Sequence, residues 1–325
     1  MIIDWQHHMS PRKVYEGRGG RGGQGGVVIR DGKVTIHLKK EVYQVEKHLE
    51  FMAGAGIDAC VISSSPISVD QCRMCNEYYH ELGRQYPDKF FYLTPCLPLN
   101  EGAFDILDQG INEYGYKGVI ISPQNAGEML DSRRLWPFYK KMSAYNLPIF
   151  IHVSGHVLGY DAYDADYNLN IAFTREADIA LNTVRLILGG VLTAFPDLTF
   201  VISHLGGGIS STLERIERYI DVRGEKFWTD CGGTPPFGAP YRENFRRLFD
   251  TLYFDMAGFE GGMNAVKCAL TTIEPNRILF GTDYPYNFHT DGKEVARYIQ
   301  DIRGLDLSRD KINGMLGGNA AKILG

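Results

Sequence analysis

Residues 147–152 read LPIFIH, an unbroken apolar run rich in β-branched side chains that ends on an imidazole. A strand with one wet face alternates apolar and polar residues. This one has no polar side, so it reads as a strand of a parallel sheet covered on both faces. Seven further stretches share the pattern: IID (2–4), DACVISS (58–64), KFFYLTP (89–95), KGVIIS (117–122), LTFVISH (198–204), TLYFDMA (251–257) and NRILFGTD (276–283). Amphipathic segments lie between them, among them VEKHLEFMAGAG, RLWPFYKKMSAYN and READIALNTVRLILGGVLTAF, bounded by the Gly, Pro or Asn that end helices. Eight strand-helix units predict an α/β fold, a (β/α)8 TIM barrel forming one domain over residues 1–325. A doubly wound open sheet is the alternative. The barrel is favoured because polar residues end strands from the first unit to the last, and only closure brings those ends to one mouth.

The chain has 325 residues, 44% of them apolar, and a net charge of −5, enough for one large core and without general attraction to nucleic acid or anionic membrane. No run approaches the roughly 20 apolar residues that span a bilayer, and the start is strand-like rather than a secretory signal, so the expectation is a cytoplasmic protein. Six cysteines fall mostly inside apolar runs and are expected to be reduced. Cys72-Arg-Met-Cys75 has zinc-like spacing, but it sits in a helical pattern with no second pair to complete four ligands, and reads as core.

Two insertions interrupt the rhythm. GRGGRGGQGG (17–26) carries seven glycines and precedes VVIRDGKVTI, whose D-G dipeptide predicts a β-hairpin, so a glycine-rich loop and hairpin are expected after strand one. GEKFWTDCGGTPPFGAPYRENF (224–245) is expected to be a second long loop. The G-x-G-x-x-G at 17–22 leads into a hairpin rather than a helix, which argues against a dinucleotide site; the two RGG triplets lack aromatic neighbours for RNA. YDAYDADYN (160–168) has calcium-loop spacing, but Arg175 stands where a bidentate Glu is needed, so a solvated acidic loop is expected.

The first strand, IDWQHH, decides the chemistry. Strict alternation puts Asp4, Gln6 and His8 on one face and Trp5 and His7 on the other. Gln6 and His8, His152, His204 and Asp283 all lie at strand C-terminal ends and would meet at the mouth, where barrel enzymes do their chemistry. Each alone reads as a packing or capping residue. Together they are harder to explain without an ion, because buried polar groups need partners.

IDWQHH, IFIHVSGH, FVISHLGGG, ILFGTDYP and the final GNAAKILG, in this order, resemble the signature segments of the amidohydrolase superfamily branch typified by aminocarboxymuconate-semialdehyde decarboxylase. The resemblance covers nearly the whole chain. It implies a barrel with one divalent metal, zinc or manganese, and non-oxidative decarboxylation of an aromatic or unsaturated, muconate-type acid. It makes His8 and His152 ligands, Asp283 a ligand that also shuttles a proton, and His204 a general acid/base. The departure is Gln6, where the family has His-x-His or Glu-x-His; an amide oxygen is a weak ligand better suited to Mg, Ca or Mn than to zinc. The family's substrate-gripping arginine on the first helix is replaced by His48, which becomes a candidate substrate-binding residue. Arg18, Arg21 and Arg175 are further candidates for holding the carboxylate substrate; His156 and His289 follow barrel strands and read equally as pocket-lining or as surface and supporting residues, and Asp255 reads as structural support. The family precedent also implies a homodimer or higher homo-oligomer. Two other readings stay open: a metal-dependent hydrolase or hydratase on the same scaffold, and a barrel that binds a ligand without catalysis.

Overall fold

A computed structural model describes residues 1–18, 27–30, 33–153, 157, 167, 169–230, 242–259 and 261–325. Eight parallel strands are numbered here β1 to β8: β1 Ile3–His8, β2 Ala59–Ser63, β3 Phe90–Tyr92, which continues into Thr94–Pro95, β4 Val119–Ile121, β5 Ile149–Ile151, β6 Phe200–Ile202, β7 Tyr253–Asp255 and β8 Ile278–Leu279. β2 to β8 each fall within one of the apolar runs, and β1 overlaps its run at Ile3 and Asp4 and continues through His8. β1 pairs with β2 and β2 with β3, while Thr94–Pro95 pairs with β4 and the order continues through β5, β6 and β7 to β8.

Backbone bonds close the ring. Trp5 N–H donates to Phe280 O (2.8 Å), Asp283 N–H to Gln6 O (2.9 Å) and His8 N–H to Tyr284 O (2.8 Å), which joins the last strand to the first. The closed sheet encloses its own core: Ile3, Trp5, Val61, Leu93, Ile120, Phe150, Val201 and Leu279 form one cluster, with Tyr253 packed against it. All eight strands contribute to it, as a filled TIM barrel requires. The larger core lies between sheet and outer helices and takes in Phe51, Tyr79, Phe138, Phe200, Phe254 and Phe280. Each such side chain contributes about 1.5–3 kcal/mol on burial.

β1 does not alternate strictly. Asp4 pairs with Cys60 and His7 with Ile62, three steps along β1 against two along β2, so the strand carries a bulge of one residue. The expected faces are therefore corrected. Asp4 turns outward together with His7, Trp5 turns into the barrel with its ring 6.2 Å from Phe150, and Gln6 and His8 both reach the mouth.

After β1, a short helix Arg12–Arg18 precedes the antiparallel hairpin strands Val27–Arg30 and Lys33–His37, as expected; the glycine-rich residues 19–26 lie outside the described residues. The second insertion differs from expectation. The helix Ser210–Asp230 runs through its first seven residues, and Arg242–Phe249 begins a new helix. Gly224 alone does not end the first helix because one interior glycine costs only about 1 kcal/mol. Residues 231–241, and the acidic stretch apart from Tyr167, lie outside the described residues. Cys72 and Cys75 are buried thiols, not joined in a disulfide, on the helix Val69–Gln85. Among the described residues no helix is long and apolar enough to cross a membrane.

Candidate active site

The end of β1 sets the site. Gln6 and His8, two residues apart, reach the ends of β5, β6 and β8 while His7 turns away. His8 directs Nδ1 at the carbonyl of Ser63 (3.3 Å) and brings Nε2 to 2.7 Å from Oδ1 of Asp283. That nitrogen is buried and has no partner in hydrogen-bond alignment. His152, one residue beyond β5, places its ring 4.6 Å from that of His8 at 76°. Both of its ring nitrogens are shut off from solvent and have no hydrogen-bond partner among the described residues. Donor atoms of His8, His152 and Asp283 all lie within 4.8 Å of one another.

Burial pushes His152 well below the usual imidazole pKa, and His8 and His204 add to this. Neutral imidazole is the form that binds a metal. Burial alone would raise Asp283, but His8, His204 and Arg175 outweigh it and hold the carboxyl well below its ordinary range. Gln6 donates from Nε2 to Oδ1 of Asp283 (3.0 Å) and stands 3.0 Å from Nε2 of His204, with its own Oε1 buried and unpartnered. Two imidazoles, a carboxylate and a spare amide oxygen, with four orphaned polar atoms among them, form a donor set that suits a divalent cation.

His204 is held by backbone as well as side chains. From His204 to Gly208 five consecutive residues have φ between +50° and +73°, a left-handed turn that His204 and Leu205 adopt at a cost of about 1–2 kcal/mol each. Asp255 fastens the turn, its Oδ1 accepting from the N–H groups of His204 (3.1 Å) and Ala257 (2.9 Å). Burial raises the Asp255 carboxyl to about 7. Gly258 packs so tightly against the imidazole that a Cβ there would lie 2.4 Å from it. On its other side the ring donates from Nδ1 to Oε1 of Glu176 (2.8 Å). Burial lowers the His204 pKa, but Glu176 and Asp283 together raise it above the ordinary value. The same exchange carries Glu176 below the usual carboxylate range against the upward push of burial.

Below the mouth lies a separate buried linkage. His7 is 2.8 Å from Oδ2 of Asp4 through Nδ1 and 2.8 Å from Nδ1 of His48 through Nε2; His48 then donates from Nε2 to the carbonyl of Glu41 (2.8 Å). Asp4 also accepts from the N–H and hydroxyl of Thr282. Asp4, His7 and Cys60 are close enough to hold an ion, but these bonds already occupy Asp4 and His7. The expectation that His48 meets substrate is corrected here, because it is enclosed and both nitrogens are engaged.

Gln6, His8, His152, His204 and Asp283 thus lie together at the mouth. Arg175 joins them: its side chain is 16% exposed, its Nε donates to Glu176 (3.1 Å), and its charge acts on His152, His204 and Asp283. Arg21, His156 and the side chain of Arg18 lie outside the described residues, and His289 is an exposed partner of Glu294. Glu176 escaped the sequence reading because a carboxylate in the first turn of a helix is what the helix dipole favours anyway. Tyr286 escaped too; its ring stands 5.6 Å from that of His8.

The sequence model of one family, described as amidohydrolase, matches residues 3–325. A 2-amino-3-carboxymuconate-6-semialdehyde decarboxylase of Dictyostelium discoideum is 24% identical over 309 residues, covering 91% of this chain and 80% of that protein. The crystal structure of 5-carboxyvanillate decarboxylase from Sphingomonas paucimobilis superposes with a TM-score of 0.79 at 20% identity, over 99% of this chain and 98% of the other. The structure of 5-carboxyvanillate decarboxylase from Novosphingobium aromaticivorans, complexed with manganese and 4-hydroxy-3-methoxy-5-nitrobenzoic acid, gives 0.75 at 17% identity over 100% and 96% of the two chains.

Proposed function

Because this chain belongs to the amidohydrolase family, we propose that it is a metal-dependent carboxy-lyase that removes CO2 without oxidation from an aromatic or unsaturated, muconate-type acid. The observation that carries the reading is the meeting of His8, His152 and Asp283, with both nitrogens of His152 buried and unpartnered, beside a histidine held by Glu176. His8, His152 and Asp283 would hold one divalent ion, with the orphaned Oε1 of Gln6 as a further donor. Manganese fits this set better than zinc, since a hard amide oxygen replaces an imidazole or carboxylate, and a related decarboxylase is found with manganese.

Bound there, the ion supplies an electron sink for the substrate's carboxylate and adjacent oxygen. The protein's own groups do the rest. The bond from ring or chain carbon to carboxyl breaks, CO2 leaves, and the electron pair left on carbon takes up a proton. His204 at Nε2, with Asp283 3.9 Å away, is the proton-handling group at that carbon. The guanidinium of Arg175 grips a second carboxylate or phenolate oxygen and sets the geometry of attack. Arg18, Arg21 and His156 are further candidates for the grip. The reading extends to a cytoplasmic homodimer or larger homo-oligomer, in keeping with the family resemblance.

The test is a panel of hydroxylated aromatic and muconate-type acids, each with added Mn or Zn, assayed for CO2. Release of CO2 with a product lighter by one carboxyl group supports the reading. Conversion of a lactone, amide or double bond with no CO2 would replace it with hydrolysis or hydration.

A further inference from the structure

Glu176 sits where two functional groups meet. Its Oε1 accepts from Nδ1 of His204 at 2.8 Å and from Nε of Arg175 at 3.1 Å. Its Oε2 is buried and has no hydrogen-bond partner among the described residues. The bond to Nδ1 fixes the imidazole so that Nε2 faces Gln6 and Asp283. The bond to Nε fixes the plane of the guanidinium. Among the described residues Nε is the one nitrogen of Arg175 with an acceptor inside the protein, which leaves the terminal nitrogens for an anion.

The seat of Glu176 is built for this contact. It lies in the first turn of the helix Arg175–Leu188, pressed against the left-handed turn that carries His204. A Cβ at Gly207 would lie 1.9 Å from the carbonyl oxygen of Glu176 and 2.6 Å from Cγ2 of Ile179, so the turn and the helix touch only because that residue has no side chain.

We infer that Glu176 is the positioning residue of this site, orienting through one carboxylate oxygen both the proton-handling His204 and the anion-binding guanidinium of Arg175. Substrate grip and proton delivery are thereby tied to a single strut. The substrate class that follows is an acid with a second anionic oxygen besides the carboxylate that is lost. The kinetic consequence rests on the decarboxylase reading; the structural consequence does not.

The experiment compares Glu176→Ala and Glu176→Gln with wild type in the zinc-loaded protein. Glutamine keeps an oxygen able to accept both bonds; alanine does not. Metal content should stay unchanged in both variants. Salicylate titrated calorimetrically should bind about 10-fold more weakly to the alanine variant and nearly normally to the glutamine variant. The 15N spectrum of labelled histidine should show His204 protonated at Nδ1 in wild type and the glutamine variant, and a mixed state in the alanine variant. On the acid identified by the CO2 assay, alanine should lower kcat about 100-fold and raise KM, with glutamine recovering most of both. The inference is overturned if alanine leaves salicylate affinity and the His204 signal unchanged, or if the folded glutamine variant behaves like alanine. If wild type releases no CO2 from any acid, the proposed function fails while binding and 15N spectra still decide the role of Glu176.

Discussion

Nε2 of His8 and Oδ1 of Asp283 stand 2.7 Å apart, buried, yet the nitrogen is not aligned for a hydrogen bond. We propose that these two atoms are neighbours on one cation. With the unpartnered nitrogens of His152 beside them they form the proposed metal site, and the protein's stability should register an ion bound there. Removing bound metal with a chelator is expected to lower Tm by several degrees, since a ligand at 100 times its Kd stabilises by about 2.7 kcal/mol. A Tm unmoved by chelator and by added Mn or Zn would go against a cation in the native site.

His152→Ala removes a proposed ligand whose nitrogens have no hydrogen-bond partner among the described residues. It should abolish metal retention after dialysis while the circular dichroism of the barrel stays intact. His204→Ala should do the reverse, keeping the metal but lowering turnover by about 100-fold or more. Metal analysis and kinetics on the two variants check the division of labour.

Gln6 is a neutral donor where the family resemblance implies an imidazole or carboxylate. Gln6→His should raise zinc affinity by about 10- to 100-fold, measured by competition with a chromophoric chelator. An unchanged zinc affinity would mean that residue 6 lies outside the ligand set and serves only Asp283 and His204.

Asp255 gives a signed dependence on pH. Its folded pKa is raised to about 7 from 3.8 by burial, so the folded state binds more protons than the unfolded one between those values, and this group's contribution falls as pH rises through that window. Asp255→Asn keeps an oxygen for the N–H groups of His204 and Ala257 but cannot ionise. Its stability relative to wild type should therefore climb from about pH 4 to 7 and stay level above, read as Tm against pH. A constant difference between the two proteins would contradict burial of the charge.

Gly207→Ala inserts a methyl group 1.9 Å from the Glu176 carbonyl oxygen, at a residue with φ of +64°. Both effects oppose it, and a loss of about 1–3 kcal/mol or more is expected in denaturant unfolding. Activity should fall further than stability explains, with metal content preserved, because the contact between Glu176 and His204 runs through this seam.

The barrel was legible because each strand is an uninterrupted apolar run, and so were the mouth residues that follow directly on those runs: His152 after Ile151, His204 after Ser203, Asp283 near the end of NRILFGTD. The faces of β1 were not. A one-residue bulge leaves no mark in the letters IDWQHH, yet it moves Asp4 and Trp5 from the faces alternation gives them relative to Gln6 and His8. His48 looked available because a histidine on a helix advertises its charge and not its partners; only the fold brings His7 and the Glu41 carbonyl to its two nitrogens. Glu176 was hidden for a related reason, since its partner His204 is 28 residues away and reaches it through a left-handed turn.

Crystals grown with manganese, measured with X-rays near the manganese absorption edge, test the central claim most directly. One anomalous peak contacted by His8, His152 and Asp283 is the predicted result. A peak on Asp4, His7 and Cys60 instead, or no peak while the three residues keep their places, would contradict it.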